Sequence, residues 1–95
     1  MMKFSLGRLV ATKRVADLMG ESKEFGEHVS DCLKRYITCD WGEMCEEDKQ
    51  INDKAVKFGN RILASYENAV QKDWKIWIVT ESDRSVTTVL FPEDY

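Results

Sequence analysis

No stretch of this 95-residue chain approaches the ~18 consecutive apolar residues that a membrane-spanning helix needs. No apolar h-region follows Met1-Met2-Lys3. The expectation is a soluble protein that stays in the reducing cytosol, with no membrane role. Glycine-rich phosphate cradles are missing too: neither GxGxxG nor GxxxxGK[ST] occurs, which argues against nucleotide chemistry. Cys32, Cys39 and Cys45 are an odd set without the close pair of a structural zinc site, so neither a disulfide framework nor a metal centre is expected. Excess positive charge is also missing. A net charge of −3 makes direct binding to nucleic acid unexpected, because that binding is driven by Lys and Arg displacing counterions from phosphates. No internal repeat or low-complexity run is present.

The chain does carry enough large side chains for one core, with three Trp, three Tyr and four Phe. Two cores in so short a chain would each bury too little apolar surface, so one domain over 1–95 is expected. Phe4 to Ala11 has strand character, with Gly7 marking a bulge or a close backbone approach. Thr12 then suits the N-cap of a helix from Lys13 to Met19, with Gly20 as a left-handed stop. Ser22 can cap a second helix, whose Phe25, Val29, Cys32, Leu33, Tyr36 and Ile37 recur at the spacing of one buried face. Trp41-Gly42 reads as a turn with the indole closing the core. A third helix is expected from Glu46 to Phe58, burying Ile51, Ala55 and Phe58 and ending at Gly59-Asn60.

Three β-rich runs follow: Arg61 to Tyr66, Trp74 to Thr80 and Val86 to Phe91. The middle run is apolar on both faces, as a central strand requires. The five polar residues Glu81 to Ser85 make a hairpin connection, and Pro92 ends the last strand. The fold class expected is therefore α+β: an N-terminal strand, about three helices, and a three-stranded antiparallel meander with the helices on one face.

Chemistry is sparse. His28 and Cys32 stand four apart on the second helix, but neither the further ligands of a metal site nor the orienting groups of a thiol nucleophile accompany them. The Glu81–Ser85 tip has turn composition, and exposed carboxylates lack the environment that splits two pKa values for acid–base work. No enzymatic activity and no cofactor are expected. The whole negative balance arises in one segment: residues 40–53 hold six acidic side chains and one basic. Asp40, Glu43, Glu46, Glu47, Asp48 and Asp53 suit the start of a helix, and they could also meet a basic surface on another protein. Arg84 at the hairpin tip, by pairing with Asp83 or Glu81 or by reaching outward, is the remaining candidate contact.

Several strings carry a resemblance. Ser5 to Thr12, Asp40-Trp41-Gly42, Glu47-Asp48 with Asn52, Arg61 to Tyr66, Ile76 to Thr88 and Leu90 to Tyr95 resemble a family of small proteins encoded on bacterial plasmids, phages and integrative elements. Most members have no assigned activity, and some are associated with anti-CRISPR activity. The resemblance implies a non-enzymatic protein-binding module, an inhibitor of a host defence nuclease of anti-CRISPR or anti-restriction type. The alternative is an accessory protein of plasmid or phage maintenance that self-associates through an uncovered sheet edge.

Overall fold

The computed structural model describes residues 4–95. Strand β1 (Arg8–Ala11) is followed by helices α1 (Lys13–Glu21), α2 (Lys23–Ile37) and α3 (Glu46–Phe58). Strands β2 (Ile62–Tyr66), β3 (Ile76–Thr80) and β4 (Val86–Leu90) complete the regular structure, with short 3-10 turns at Lys72–Trp74 and Pro92–Asp94. The fold is α+β, as expected. The sheet, however, has four strands and is mixed, in the order β1-β4-β3-β2. The antiparallel run β2-β3-β4 is present, and β1 joins it parallel to β4, with Arg8 opposite Val86 and Ala11 opposite Val89. A parallel partner needs a long crossover rather than a tight turn, and here almost the whole chain lies between the two strands.

The first strand is shorter than its composition suggests. Gly7 adopts φ +62°, and a Cβ there would collide with the backbone of Arg84 and Ser85, so the chain turns at this point. Ahead of it, Phe4 leaves the strand direction and packs edge-on against Tyr36 at 5.3 Å.

Gly20 is no stop: it lies inside α1, which continues to Glu21. Ser22 takes over both tasks. In an extended conformation, its N–H donates to the Leu18 carbonyl (2.8 Å) and its Oγ accepts from Phe25 N–H (3.1 Å). One residue thereby closes α1 and caps α2, giving a sharp corner between two helices. α2 presents Phe25, Val29, Cys32 and Tyr36 to the core, as its spacing dictates.

The third helix has the expected ends, with Gly59 left-handed at φ 76°. Its rotation differs from expectation. Ile51 and Phe58 face solvent, 61% and 66% exposed, while Asn52 and Ala55 are buried. Asn52 explains why. β2 is an edge strand, and the Asn52 side chain pairs with that edge, donating to the Leu63 carbonyl (2.8 Å) and accepting from Leu63 N–H (3.3 Å). An unpaired buried peptide group costs about 1–3 kcal/mol, comparable to what one exposed apolar side chain would gain by turning inward. Helices α1 and α2 cover one face of the sheet, whereas α3 lies along the β2 edge.

Trp74 belongs to the 3-10 turn rather than to a strand, and packs edge-on against Phe25 at 5.4 Å. Trp77, on β3, faces the side of the sheet opposite α2 and meets Tyr95 at 5.5 Å. Trp41 does close the core, 2% exposed, with its indole N–H donating to Asp53 Oδ1 (2.8 Å). Below the sheet, a run of buried hydroxyls links three elements: Tyr36 OH lies 2.6 Å from Thr80 Oγ1, which lies 2.8 Å from Thr87 Oγ1. Thr87 donates onward to the Leu6 carbonyl at 2.7 Å.

Candidate functional site

The acidic segment divides into two groups once its partners are read. Asp40 accepts two hydrogen bonds from the Arg35 guanidinium (2.8 and 3.1 Å) and one from Gly42 N–H (3.2 Å). The Arg35 bond holds the Asp40 carboxyl below the usual carboxylate range. Glu43 pairs with Arg35 at 3.6 Å and accepts from Glu67 N–H at 3.1 Å, while its own N–H donates to the Ser65 carbonyl at 3.1 Å. Asp53 holds the Trp41 indole. These three carboxylates fasten the 40–43 turn and α3 to the sheet. Glu46, Glu47 and Asp48 differ: they occupy the exposed first turn of α3, where the helix dipole favours negative charge, and project into solvent.

Arg84 is turned inward. At φ 59° it sends its guanidinium to the carbonyls of Ala55 (2.9 Å), Asn60 (2.7 Å) and Glu81 (3.2 Å). Ala55 and Asn60 belong to the last turn and exit of α3, so Arg84 places positive charge at the C-terminal end of that helix, taking up the Asn60 carbonyl and joining the Gly59 and Asn60 N–H groups on the Ala55 carbonyl. Neither Asp83 nor the Glu81 side chain pairs with it. Asp83 instead accepts from Ser85 N–H (3.0 Å) and Ser85 Oγ (2.6 Å), and Glu81 pairs with Arg61 (3.5 Å).

Beside the free carboxylates, a groove of about 270 Å³ is lined by Met44, Asp48, Ile51, Asn52, Arg61 and Leu63. Arg61 also lines a second groove of about 280 Å³ on the helix-free face of the sheet, with Val79, Leu90 and Tyr95. Its guanidinium lies over the Tyr95 ring at 5.4 Å and donates to the Tyr95 hydroxyl at 2.7 Å. The outer stripe of α3 therefore runs onto the sheet face through Arg61 and Leu63. Hydrophobicity alone puts Ile51 and Phe58 inside, because Ile51-Ala55-Phe58 is the more apolar stripe of α3. The signal for the true rotation was Asn52-Ala55-Val56, a stripe whose polar member pairs with a strand.

The three cysteines differ in burial. Cys32 is buried, and burial pushes its thiol up to about 12, which removes it as a nucleophile at neutral pH. Cys45 is exposed at the N-cap of α3. Among the described residues no group of three or more His, Cys, Asp and Glu side chains is arranged to hold a metal ion. Among the same residues no helix is long and apolar enough to cross a membrane.

Two further cavities flank Trp74. One, of about 750 Å³, lies between α1 and the chain end, with Arg14, Leu18 and Phe91 in its wall. The other, of about 400 Å³, lies against α2 and is lined by Glu24, Glu27, His28 and Asp31 on one side and Asn68 and Val70 on the other. Comparison with protein-family models, curated proteins and solved structures yields no match.

Proposed function

We propose that the chain is a non-enzymatic protein-binding module that docks on a basic surface of another protein. The contact is the outward stripe of α3 with the adjoining groove, and Glu46, Glu47 and Asp48 form its electrostatic rim. One observation carries this reading: Ile51, 61% exposed, stands in a groove with Met44 and Leu63, directly beside Asp48. An apolar patch bordered by unpaired charge fits a protein contact, in which burial supplies affinity and charge supplies steering. The resemblance to small mobile-element proteins suggests the class of partner, a host defence nuclease inhibited in the manner of an anti-CRISPR or anti-restriction protein. Such a nuclease carries basic surface for its nucleic acid, which the acidic rim complements.

The test is affinity capture from host lysate at low and moderate salt, followed by a plasmid-interference assay, comparing wild type with the combined Glu46→Gln, Glu47→Gln, Asp48→Asn variant. Neutralisation costs α3 only ~0.3–1 kcal/mol per charge. The variant should stay folded, capture less partner and lose most of the salt dependence. Recovery of no specific protein by wild type, or equal capture by both, overturns the reading.

A second reading is favoured by the opposite edge of the sheet. In a parallel ladder alternate residues face the neighbour, and here Arg8 and Thr12 donate to Ser85 and Val89 (both 3.0 Å). The peptide groups of Leu9 and Ala11 therefore point away from β4, and Leu9 is 50% exposed. Self-association through β1, as in an accessory protein of plasmid or phage maintenance, would use that edge.

A further inference from the structure

The connection from β2 to β3, residues 67–75, meets α2 through the packing of Trp74 on Phe25 and through hydrogen bonds to one imidazole, that of His28, whose partners fix where its hydrogen sits. Asn68 Oδ1 accepts from Val70 N–H and from Gln71 N–H, both at 2.9 Å. Backbone amides only donate, so the amide of Asn68 has one possible orientation, with its NH2 toward His28 Nδ1 at 3.2 Å. On the other side, His28 Nε2 lies 2.8 Å from the Trp74 carbonyl, which only accepts. Nε2 therefore carries the hydrogen and Nδ1 keeps its lone pair. This is the neutral ring in a single tautomer, with both nitrogens satisfied.

A second ring proton would find only the weakly accepting Cys32 sulfur, 3.8 Å away, in this arrangement. It would set an Nδ1–H against the NH2 of Asn68, two donors face to face, and Asn68 cannot rotate without surrendering both of its backbone bonds. We propose that protonation of His28 releases the 67–75 connection from α2, so that the wall between the two cavities at Trp74 is acid-sensitive. Trp74 lines both cavities, and its carbonyl is one of the two points at which His28 holds it in place.

The other charged groups around the ring do not replace the lost acceptor. Glu24, Glu27 and Asp31 face the same cavity from α2 and attract a ring proton through solvent in both arrangements. Cys32 Sγ lies 3.8 Å from both ring nitrogens as an uncharged thiol. Lys72, Asp73 and Lys75 line the cavity on the far side of Trp74, with Arg14, Asp17, Glu21 and Glu93 across it. The sign follows from linkage. The closed arrangement holds one proton fewer than the released one, so acid favours release and rising pH favours closure.

His28 is the sole histidine in the chain, so its ring signals are unambiguous in a nuclear magnetic resonance titration from about pH 8 to pH 5. The amide signals of residues 68–74 should move with the His28 ring as one transition. The exchange protection of the Val70 and Gln71 amides should fall about tenfold relative to that of Ile78, after correction for intrinsic exchange, the equivalent of one net hydrogen bond. The Asn68→Asp variant supplies the control. A carboxylate keeps the bonds from Val70 and Gln71 and offers its second oxygen to a protonated Nδ1, so acid should no longer release the connection. Loop signals that ignore the His28 transition in wild type, or an Asn68→Asp protein that opens in acid as wild type does, overturn the proposal.

Discussion

At the scale of single residues, several polar side chains do the work of backbone. Asn52 stands in for a missing strand at the β2 edge, Arg84 holds the end of α3 from a hairpin turn, and Asp40 fixes the turn that inserts Trp41. The buried hydroxyl run has a direction. Because Thr87 gives its only hydrogen to the Leu6 carbonyl, it must accept from Thr80, and Thr80 must accept from Tyr36. Burial pushes the Tyr36 phenol up to about 12, so it remains a donor across the physiological range. The direction ranks two substitutions. Thr87→Val leaves the Leu6 carbonyl without its hydroxyl donor and the Thr80 hydrogen without its acceptor, and should cost about 1–3 kcal/mol. Tyr36→Phe removes only the terminal donor and should cost about 0.5–1.5 kcal/mol. Urea denaturation of the two variants checks the order, and an equal or reversed pair would mean that the run is not polarised in this way.

At the scale of elements, α3 shows how a helix can be recognisable in its ends and misjudged in its rotation. Three acidic residues at its start and a left-handed Gly59 at its finish are local signals that depend on the helix alone. Which side faces inward depends on what it packs against, and here that is a strand edge that needs hydrogen bonds. Substitutions on the two sides should separate accordingly. Ile51→Ala, on the exposed side, should change stability by less than about 0.5 kcal/mol. Ala55→Leu, at a position 1% exposed, overpacks the contact and should cost about 1–3 kcal/mol. Thermal denaturation distinguishes the cases, and a large loss at Ile51 with none at Ala55 would restore the rotation read from hydrophobicity. The same contrast explains Gly20. A glycine between two helical runs reads as a stop, yet Ser22 offers both an extended backbone and a side-chain oxygen, and the corner forms there.

At the scale of the whole molecule, the sheet has one protected edge and one open edge. The β2 side is closed by Asn52 and by Glu43, whose N–H meets the Ser65 carbonyl. The β1 side presents the peptide groups of Leu9 and Ala11. If self-association operates, sedimentation velocity over a hundredfold concentration range should show a concentration-dependent dimer, and Ala11→Pro, which removes an outward N–H, should shift it toward monomer. A monomer throughout that range sets the edge aside and leaves docking through α3 as the remaining interface. The acidic surface is also smaller than the segment that contains it. Asp40, Glu43 and Asp53 are exposed but engaged in bonds within the chain, so replacing all six carboxylates together would confound binding with stability, whereas Glu46, Glu47 and Asp48 isolate the surface.

Local features are written in the residues alone: the three helices with the ends of α3, the Ser22 cap, the strand-rich second half, the hairpin turn, and Trp41 as a core residue. These follow from periodicity, capping chemistry and turn residues, which act within a few positions. The parallel placement of β1 on β4, the outward rotation of α3, the inward turn of Arg84 and the tie from His28 to Asn68 and Trp74 emerge only from the folded arrangement. Each of these joins residues far apart in sequence, and each is settled by the need to pair a particular buried donor or acceptor. That requirement exists only after the chain has folded around it.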